Sequence, residues 1–299
     1  MSVKTKRVIL AGFLCILLIL STGVLVHAYT KILAFGDSLS DNGYYQGYPG
    51  GTAGNTNPAD VYGFRRYSNG LVWVEYLAGP TLFNVPLLDL AYGGATTGWD
   101  NPAAFNATGD PKYNTTTGLQ WQVGAYQSVF GTISPTTLVT LWAGGNDMFN
   151  GRSPVTAAQN IGLAIQNLIV IGGREFIVPN LSYTDTDPYE LWKQPFDTNL
   201  SLVLASLIGA NSGVDIYELD LNDLVLTGIV NYTGTWLYDN PRKEGTYYSY
   251  DGIHPTTEVH AQIADYAAAA AVPEPATMLL LGSGLIGLAG YGRKKFFKK

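Results

Sequence analysis

Lys31-Ile32-Leu33-Ala34-Phe35-Gly36-Asp37-Ser38-Leu39-Ser40-Asp41 is the stretch on which the fold of this chain turns. Lys31–Phe35 is a short β-rich apolar run, the length of a fully buried strand. The Gly-Asp-Ser that follows leaves that strand by a turn. A serine so placed, at the start of a helix, stands at the carboxyl edge of a sheet with its hydroxyl toward the cleft. By itself Gly-Asp-Ser is also ordinary turn and cap chemistry, so the rest of the chain must supply its partners.

Outward from this stretch the same rhythm repeats. Further strands are expected at Thr137–Ala143, Glu175–Pro179 and Val214–Tyr217, each followed by a loop with Gly, Asn or Asp. Helices are expected at Pro154–Val170, Pro195–Ile208, Leu219–Ile229 and Thr256–Ala270. The first has Ala157, Ile161, Ala164, Ile165 and Leu168 at helical spacing, Ser153 as N-cap and Pro154 in the first turn. Strands alternating with helices imply an α/β fold, a mostly parallel sheet covered on both faces. Asp41–Ser68 and Gly93–Gly118 break the pattern. They are rich in Gly, Asn, Thr and Tyr and read as long binding loops or tolerated insertions.

The two ends stand apart from this core. Residues 1–28 carry Lys4, Lys6 and Arg7, then the apolar run Val8–Leu20, then Val26-His27-Ala28. That is the order of a secretory signal peptide, with an uncleaved anchor as the plainer alternative. Cys15 lies inside the apolar run, so cleavage after Ala28 leaves no cysteine. At the other end come Pro273-Glu274-Pro275, the apolar run Ala276–Gly292 and the basic cluster Arg293–Lys299. The run is at the short limit for a membrane span, and the basic end suits the cytoplasmic side. Three segments are therefore expected: 1–28, an exported domain over 29–272, and a sorting or anchoring tail over 273–299.

Charge and rare residues narrow the chemistry. The net charge of −6 combines +3 in residues 1–28, +4 in 273–299 and −13 in 29–272. So acidic a domain disfavours nucleic acid or an anionic membrane as partner. One cysteine rules out a disulfide scaffold, a cysteine zinc site and a cysteine-ligated cluster, and three histidines leave little for a metal centre.

The same scarcity selects a base for Ser38. Beyond His27 there are only His254 and His260. His254 follows Asp251 by three residues in Tyr250-Asp251-Gly252-Ile253-His254-Pro255, so Asp251 can hold one ring nitrogen while the other faces Ser38. His260 falls within an expected helix and reads as an ordinary helical histidine. Donors for a developing oxyanion are offered by Gly144-Gly145-Asn146-Asp147 after a strand, through Asn146, and by Tyr92-Gly93-Gly94-Ala95.

Gly-Asp-Ser-Leu, Gly-Gly-Ala, Gly-Gly-Asn-Asp and Asp-Gly-Ile-His-Pro, in that order from Phe35 to Pro255, resemble the blocks of the GDSL, or SGNH, hydrolase family. A fifth patch, Ser68-Asn69-Gly70-Leu71-Val72-Trp73, is similar to a segment of its branch of secreted lipase- and phospholipase-like members. The resemblance implies a three-layer α/β/α sandwich of flavodoxin-like type and the triad Ser38, Asp251 and His254. It also implies an oxyanion hole of Ser38 N–H, Gly94 N–H and Asn146, with Gly93 as the alternative register. Asp89 departs from the pattern, since the family often has Asn five residues before that glycine. The tail resembles the PEP-CTERM sorting signal of bacterial surface proteins, which implies an exosortase-type partner and a place in the cell envelope, at the surface or in the matrix.

The expected function is an exported carboxylic ester hydrolase with no metal or organic cofactor. Its substrate is a lipid or an acylated glycan, and hydrolysis and acyl transfer stay open. The competing expectation is a non-catalytic surface protein that binds extracellular polysaccharide through its Tyr- and Asn-rich loops, where Tyr44, Tyr45, Tyr48, Tyr62 and Tyr67 can line an acyl groove, stack on sugars or pack beneath the loop.

Overall fold

The computed structural model describes residues 29–43, 66–102, 116–181, 189–231 and 246–271. Its centre is a five-stranded sheet of β1 (Lys31–Gly36), β2 (Leu87–Asp89), β3 (Thr137–Trp142), β4 (Glu175–Pro179) and β5 (Asp215–Leu219). The strand order is β2-β1-β3-β4-β5, and every pairing is parallel. This is the flavodoxin-like order, in which the direction of winding reverses between β1 and β3. In sheets of this order the ligand site lies there, at the carboxyl ends of the strands, and Ser38 directly follows β1.

Among the described residues six helices accompany the sheet: α1 (Trp73–Ala78), α2 (Leu119–Phe130), α3 (Gly145–Phe149), α4 (Pro154–Val170), α5 (Glu190–Ala210) and α6 (Thr257–Ala271). Strand periodicity shows how the layers form. Phe35 pairs in register with Leu141 and meets Tyr126 of α2, whereas the next residue, Trp142, meets Trp73 of α1. So α2 and α1 cover opposite faces. Helices α4 and α5 pack together, with α4 touching α2, and α6 packs on α1. The core strands β1, β3 and β4 read as continuous apolar runs because both of their faces are buried.

The α/β alternation holds, with specific departures. The expected helix Leu219–Ile229 is not a helix. Asp220 Oδ1 accepts the backbone N–H and the side-chain amide of Asn222, at 3.0 and 2.9 Å, and Asn180 Oδ1 takes the N–H of Leu221 at 2.9 Å. These side chains capture the amides that a helix would need, and the segment turns instead. It leads into β6 (Ile229–Asn231), which pairs with β7 (Thr246–Tyr247) in a separate two-stranded sheet. Helix α5 begins five residues before the expected Pro195, which lies inside it. Helix α2, within no expected element, hides from periodicity because its buried face carries Gln120 and Gln122.

Gly36 ends β1 at φ 144°, and a Cβ there would lie 2.1 Å from the carbonyl oxygen of Trp142. Only glycine lets β1 run this close to β3 before the turn that holds Ser38. Gly36→Ala is expected to cost about 3 kcal/mol, combining backbone strain with overpacking. Thermal unfolding would register this as a fall in Tm of roughly 6–12 °C. Among the described residues no helix is long and apolar enough to cross a membrane. The expected signal peptide and tail lie outside the described residues, as do Tyr44, Tyr45, Tyr48 and Tyr62.

Candidate active site

The turn after β1 is held from several sides. Gln122 of α2 accepts the N–H of Gly36 at 2.9 Å and donates to its carbonyl at 2.8 Å. Trp73 donates its indole N–H to Ser40 Oγ at 3.0 Å. From residues 37 to 41 the backbone N–H groups of Asp37, Leu39, Ser40 and Asp41 all donate within the protein. That of Ser38 donates to nothing among the described residues. The residue is 8% exposed, and its Oγ lies 2.8 Å from His254 Nε2.

His254 comes from the turn that leads into α6. Its Nδ1 is 2.6 Å from Asp251 Oδ2, while Asp251 Oδ1 accepts the backbone N–H of Ile253 at 3.0 Å and of His254 at 2.8 Å. Burial raises the Asp251 carboxyl, but the bond to His254, its charge and the two backbone amides outweigh this and hold it at about 2. Asp251 is therefore a fixed anion, and it selects the tautomer with the proton on Nδ1. The Ser68–Trp73 patch joins the two turns. Ser68 Oγ donates to the carbonyl of Pro255, Asn69 Oδ1 accepts from the N–H of Thr257, and Trp73 reaches Ser40.

A second unspent N–H appears opposite. Between Tyr92 and Thr97, the amides of Tyr92, Gly93, Ala95, Thr96 and Thr97 all donate to protein acceptors. Gly94, at φ 82°, is the exception among the described residues. The N–H of Gly93, the alternative register, goes instead to Asp41 Oδ2 at 2.7 Å. Asn146 stands at the start of α3, just beyond β3. Its Nδ2 donates to the carbonyl of Ala95 at 3.0 Å and to Asp37 Oδ2 at 3.3 Å. Burial pushes the Asp37 carboxyl up to about 7; the N–H of Leu39 and the Asn146 amide oppose this, and the charges of Asp147 and Asp41 add to it.

Other residues fall into place around these. Tyr67 lies with its ring centroid 5.0 Å from that of His254 and covers Gly93, where a Cβ would meet the ring at 2.2 Å. It is packed on the site rather than reaching away from it. Asp89 is fully buried, accepts from Ala91 and Asn42, and is raised well above its ordinary value by burial and by the Asp41 charge. His260 sits in α6 with both ring nitrogens buried and without partners among the described residues, and burial lowers it to about 3. It stays neutral and outside the constellation. Sequence reasoning passed over Gln122, Asp41 and Asp147. Only the adjacency of Asp147 to Asn146 marked any of them.

What this arrangement can do is proton transfer from a serine hydroxyl beside two undirected N–H groups and a side-chain amide, the parts of an acyl-transfer site. The sequence model of the GDSL-like lipase/acylhydrolase family matches residues 32–267, and that of the PEP-CTERM protein-sorting motif matches residues 271–294. The phosphatidylcholine-sterol acyltransferase of Aeromonas hydrophila is 27% identical over 207 residues, covering 64% of this chain and 59% of that protein. The thermolabile hemolysin of Vibrio parahaemolyticus is 31% identical over 156 residues, covering 50% of this chain and 33% of that protein. The match thus spans less than two thirds of either relative. A lipolytic protein of the G-D-S-L family from Veillonella parvula superposes with a TM-score of 0.47 at 17% identity, over 80% of this chain and 96% of that one.

Proposed function

Because the chain belongs to the GDSL-like lipase/acylhydrolase family, we propose that it is an exported serine hydrolase that cleaves carboxylic esters through an acyl-enzyme on Ser38. The observation that carries this reading is the unbroken line Ser38 Oγ–His254 Nε2–Nδ1–Asp251 Oδ2, at 2.8 and 2.6 Å. Ser38 Oγ attacks the ester carbon as its proton passes to His254 Nε2, and Asp251 stabilises the resulting imidazolium. The carbonyl oxygen becomes an oxyanion, received by the N–H groups of Ser38 and Gly94 and by Asn146, which turns one amide proton from Asp37 toward it. His254 then protonates the leaving alcohol. Water, activated by the same histidine, releases the acid and restores Ser38.

Acyl transfer is the second reading, favoured by the acyltransferase name of one relative. In it an alcohol replaces water in the last step. The sorting motif supports export to the cell envelope or surface and processing by an exosortase-type enzyme. A panel of p-nitrophenyl esters from acetate to palmitate, with acetylated glycans, tests the proposal. The expected result is saturable turnover of part of the panel, and an added alcohol acceptor distinguishes transfer from hydrolysis. No turnover of any ester, with retention on extracellular polysaccharide, would instead support the binding protein.

A further inference from the structure

Every donor of the oxyanion hole has an aspartate close to it in the chain or across the next turn. Asp37 and Asp41 flank Ser38, and Asp147 follows Asn146. Each is only 1% exposed. Each also accepts hydrogen bonds from the segment that carries another donor. Asp37 Oδ2 takes the Asn146 amide at 3.3 Å, which links the Ser38 turn to α3. Asp41 Oδ2 takes the N–H of Gly93 at 2.7 Å, which links the Ser38 turn to the Gly94 loop. Asp147 takes Thr97 twice, Oδ2 from its N–H and Oδ1 from its hydroxyl, both at 2.8 Å, which links α3 to the Gly94 loop. The three links close a triangle with one donor at each corner.

We propose that Asp37, Asp41 and Asp147 are positioning residues that fix the three oxyanion donors relative to one another. The inference rests on the Ser38 hydrolase reading and adds to it what holds the site in shape. Its physical reason lies in the side chain. A carboxylate accepts at two oxygens and donates nowhere, so it can join two segments through N–H groups that would otherwise be spent elsewhere. In Asp37 and Asp41 one oxygen stays local, on the N–H of Leu39 and of Gly43, and the other spans the gap. Burying three carboxyls side by side is costly and adds nothing to a hydrophobic core. The return is two backbone donors already aimed before charge develops, with the Asn146 amide held beside them on Asp37 until the oxyanion takes its proton over, and such preorganisation is where most oxyanion stabilisation originates. Gly94 shows the effect. Asp41 holds the residue before it and Asp147 holds the loop three residues after it, so its N–H is left pointing free.

The test uses the full chain and compares Asp147→Ala with Asp147→Asn. Asparagine can still accept the N–H of Thr97 through its oxygen and donate to the Thr97 hydroxyl, so it preserves the link that alanine deletes. The alanine variant should lose about 10- to 100-fold in kcat, somewhat less than deletion of a whole oxyanion donor, with KM within about threefold. The asparagine variant should recover to within about threefold of the parent. Affinity for butylboronic acid, whose tetrahedral adduct places an oxygen in the same hole, should fall in step with kcat/KM. Should Asp147→Ala fail to fold, Thr97→Val removes one of the two bonds and should show the same pattern at about 3- to 10-fold. Unchanged kcat in Asp147→Ala, or a lower kcat with unchanged boronate affinity, would overturn the aspartate frame while leaving the hydrolase reading intact. A parent chain with no ester turnover would overturn both.

Discussion

Replacing Ser38 with alanine is expected to reduce kcat for ester hydrolysis by about 10⁴- to 10⁶-fold while the protein stays folded, the loss seen when a serine nucleophile is deleted from an intact triad. The size follows from the chemistry. In the proposed mechanism the hydroxyl is the atom that bonds to the acyl carbon, and its proton is the one His254 removes across 2.8 Å. With the oxygen gone, the proposed oxyanion donors, the N–H groups of Ser38 and Gly94 and the Asn146 amide, would still bind and polarise a carbonyl, so a small rate above background should persist. Stability should change by less than about 1 kcal/mol, because a single side-chain hydrogen bond is lost. Steady-state kinetics together with a thermal melt on the same preparation measures both quantities.

Asp251→Asn is expected to reduce kcat by about 10⁴-fold, for a reason the hydrogen bonds dictate. Asp251 Oδ1 already serves two backbone N–H groups, so in the variant the amide oxygen is held there. The amide nitrogen then faces His254 Nδ1 where a carboxylate oxygen stood, and as a donor it selects the tautomer with Nε2 protonated. That nitrogen can no longer take the proton of Ser38. The same substitution has an effect on acid stability. Asp251 is depressed from 3.8 to about 2 in the folded chain. Its stabilisation is thus complete above the unfolded value and is lost as pH falls through the folded one. The shift corresponds to about 2 kcal/mol. Melts between pH 5 and 2 should show this loss in the parent and not in the variant.

How much of this could be read from the sequence depends on what each residue does. Strands β1, β3 and β4 were legible because a strand buried on both faces is an unbroken apolar run, and α4 was legible through Ser153, Pro154 and its 3.6-residue period. Strand β2 was not, because it is three residues long and is defined by its pairing with β1. Helix α2 was hidden by inward-facing glutamines, of which Gln122 clamps Gly36 and Gln120 donates to the carbonyls of Thr97 and Asn160. The stretch after β5 carries apolar residues at helical spacing, yet Asp220 and Asn180 take its amides. At the site, Ser38, Asp251 and His254 were legible because histidine is scarce and only one has an aspartate three residues earlier. That the N–H of Gly93 is spent on Asp41 while that of Gly94 meets no acceptor among the described residues needed a tally of backbone donors that only the fold supplies. So did the bridging aspartates, since each joins segments between 50 and 109 residues apart.

The central claim is that Ser38 is a nucleophile activated by His254. A fluorophosphonate reacts with such a serine and forms a stable adduct, which intact mass and peptide mapping locate. The claim predicts one adduct per chain, on Ser38, and none in the His254→Ala variant. A parent chain that remains unlabelled, or that carries the adduct on another residue, would contradict it.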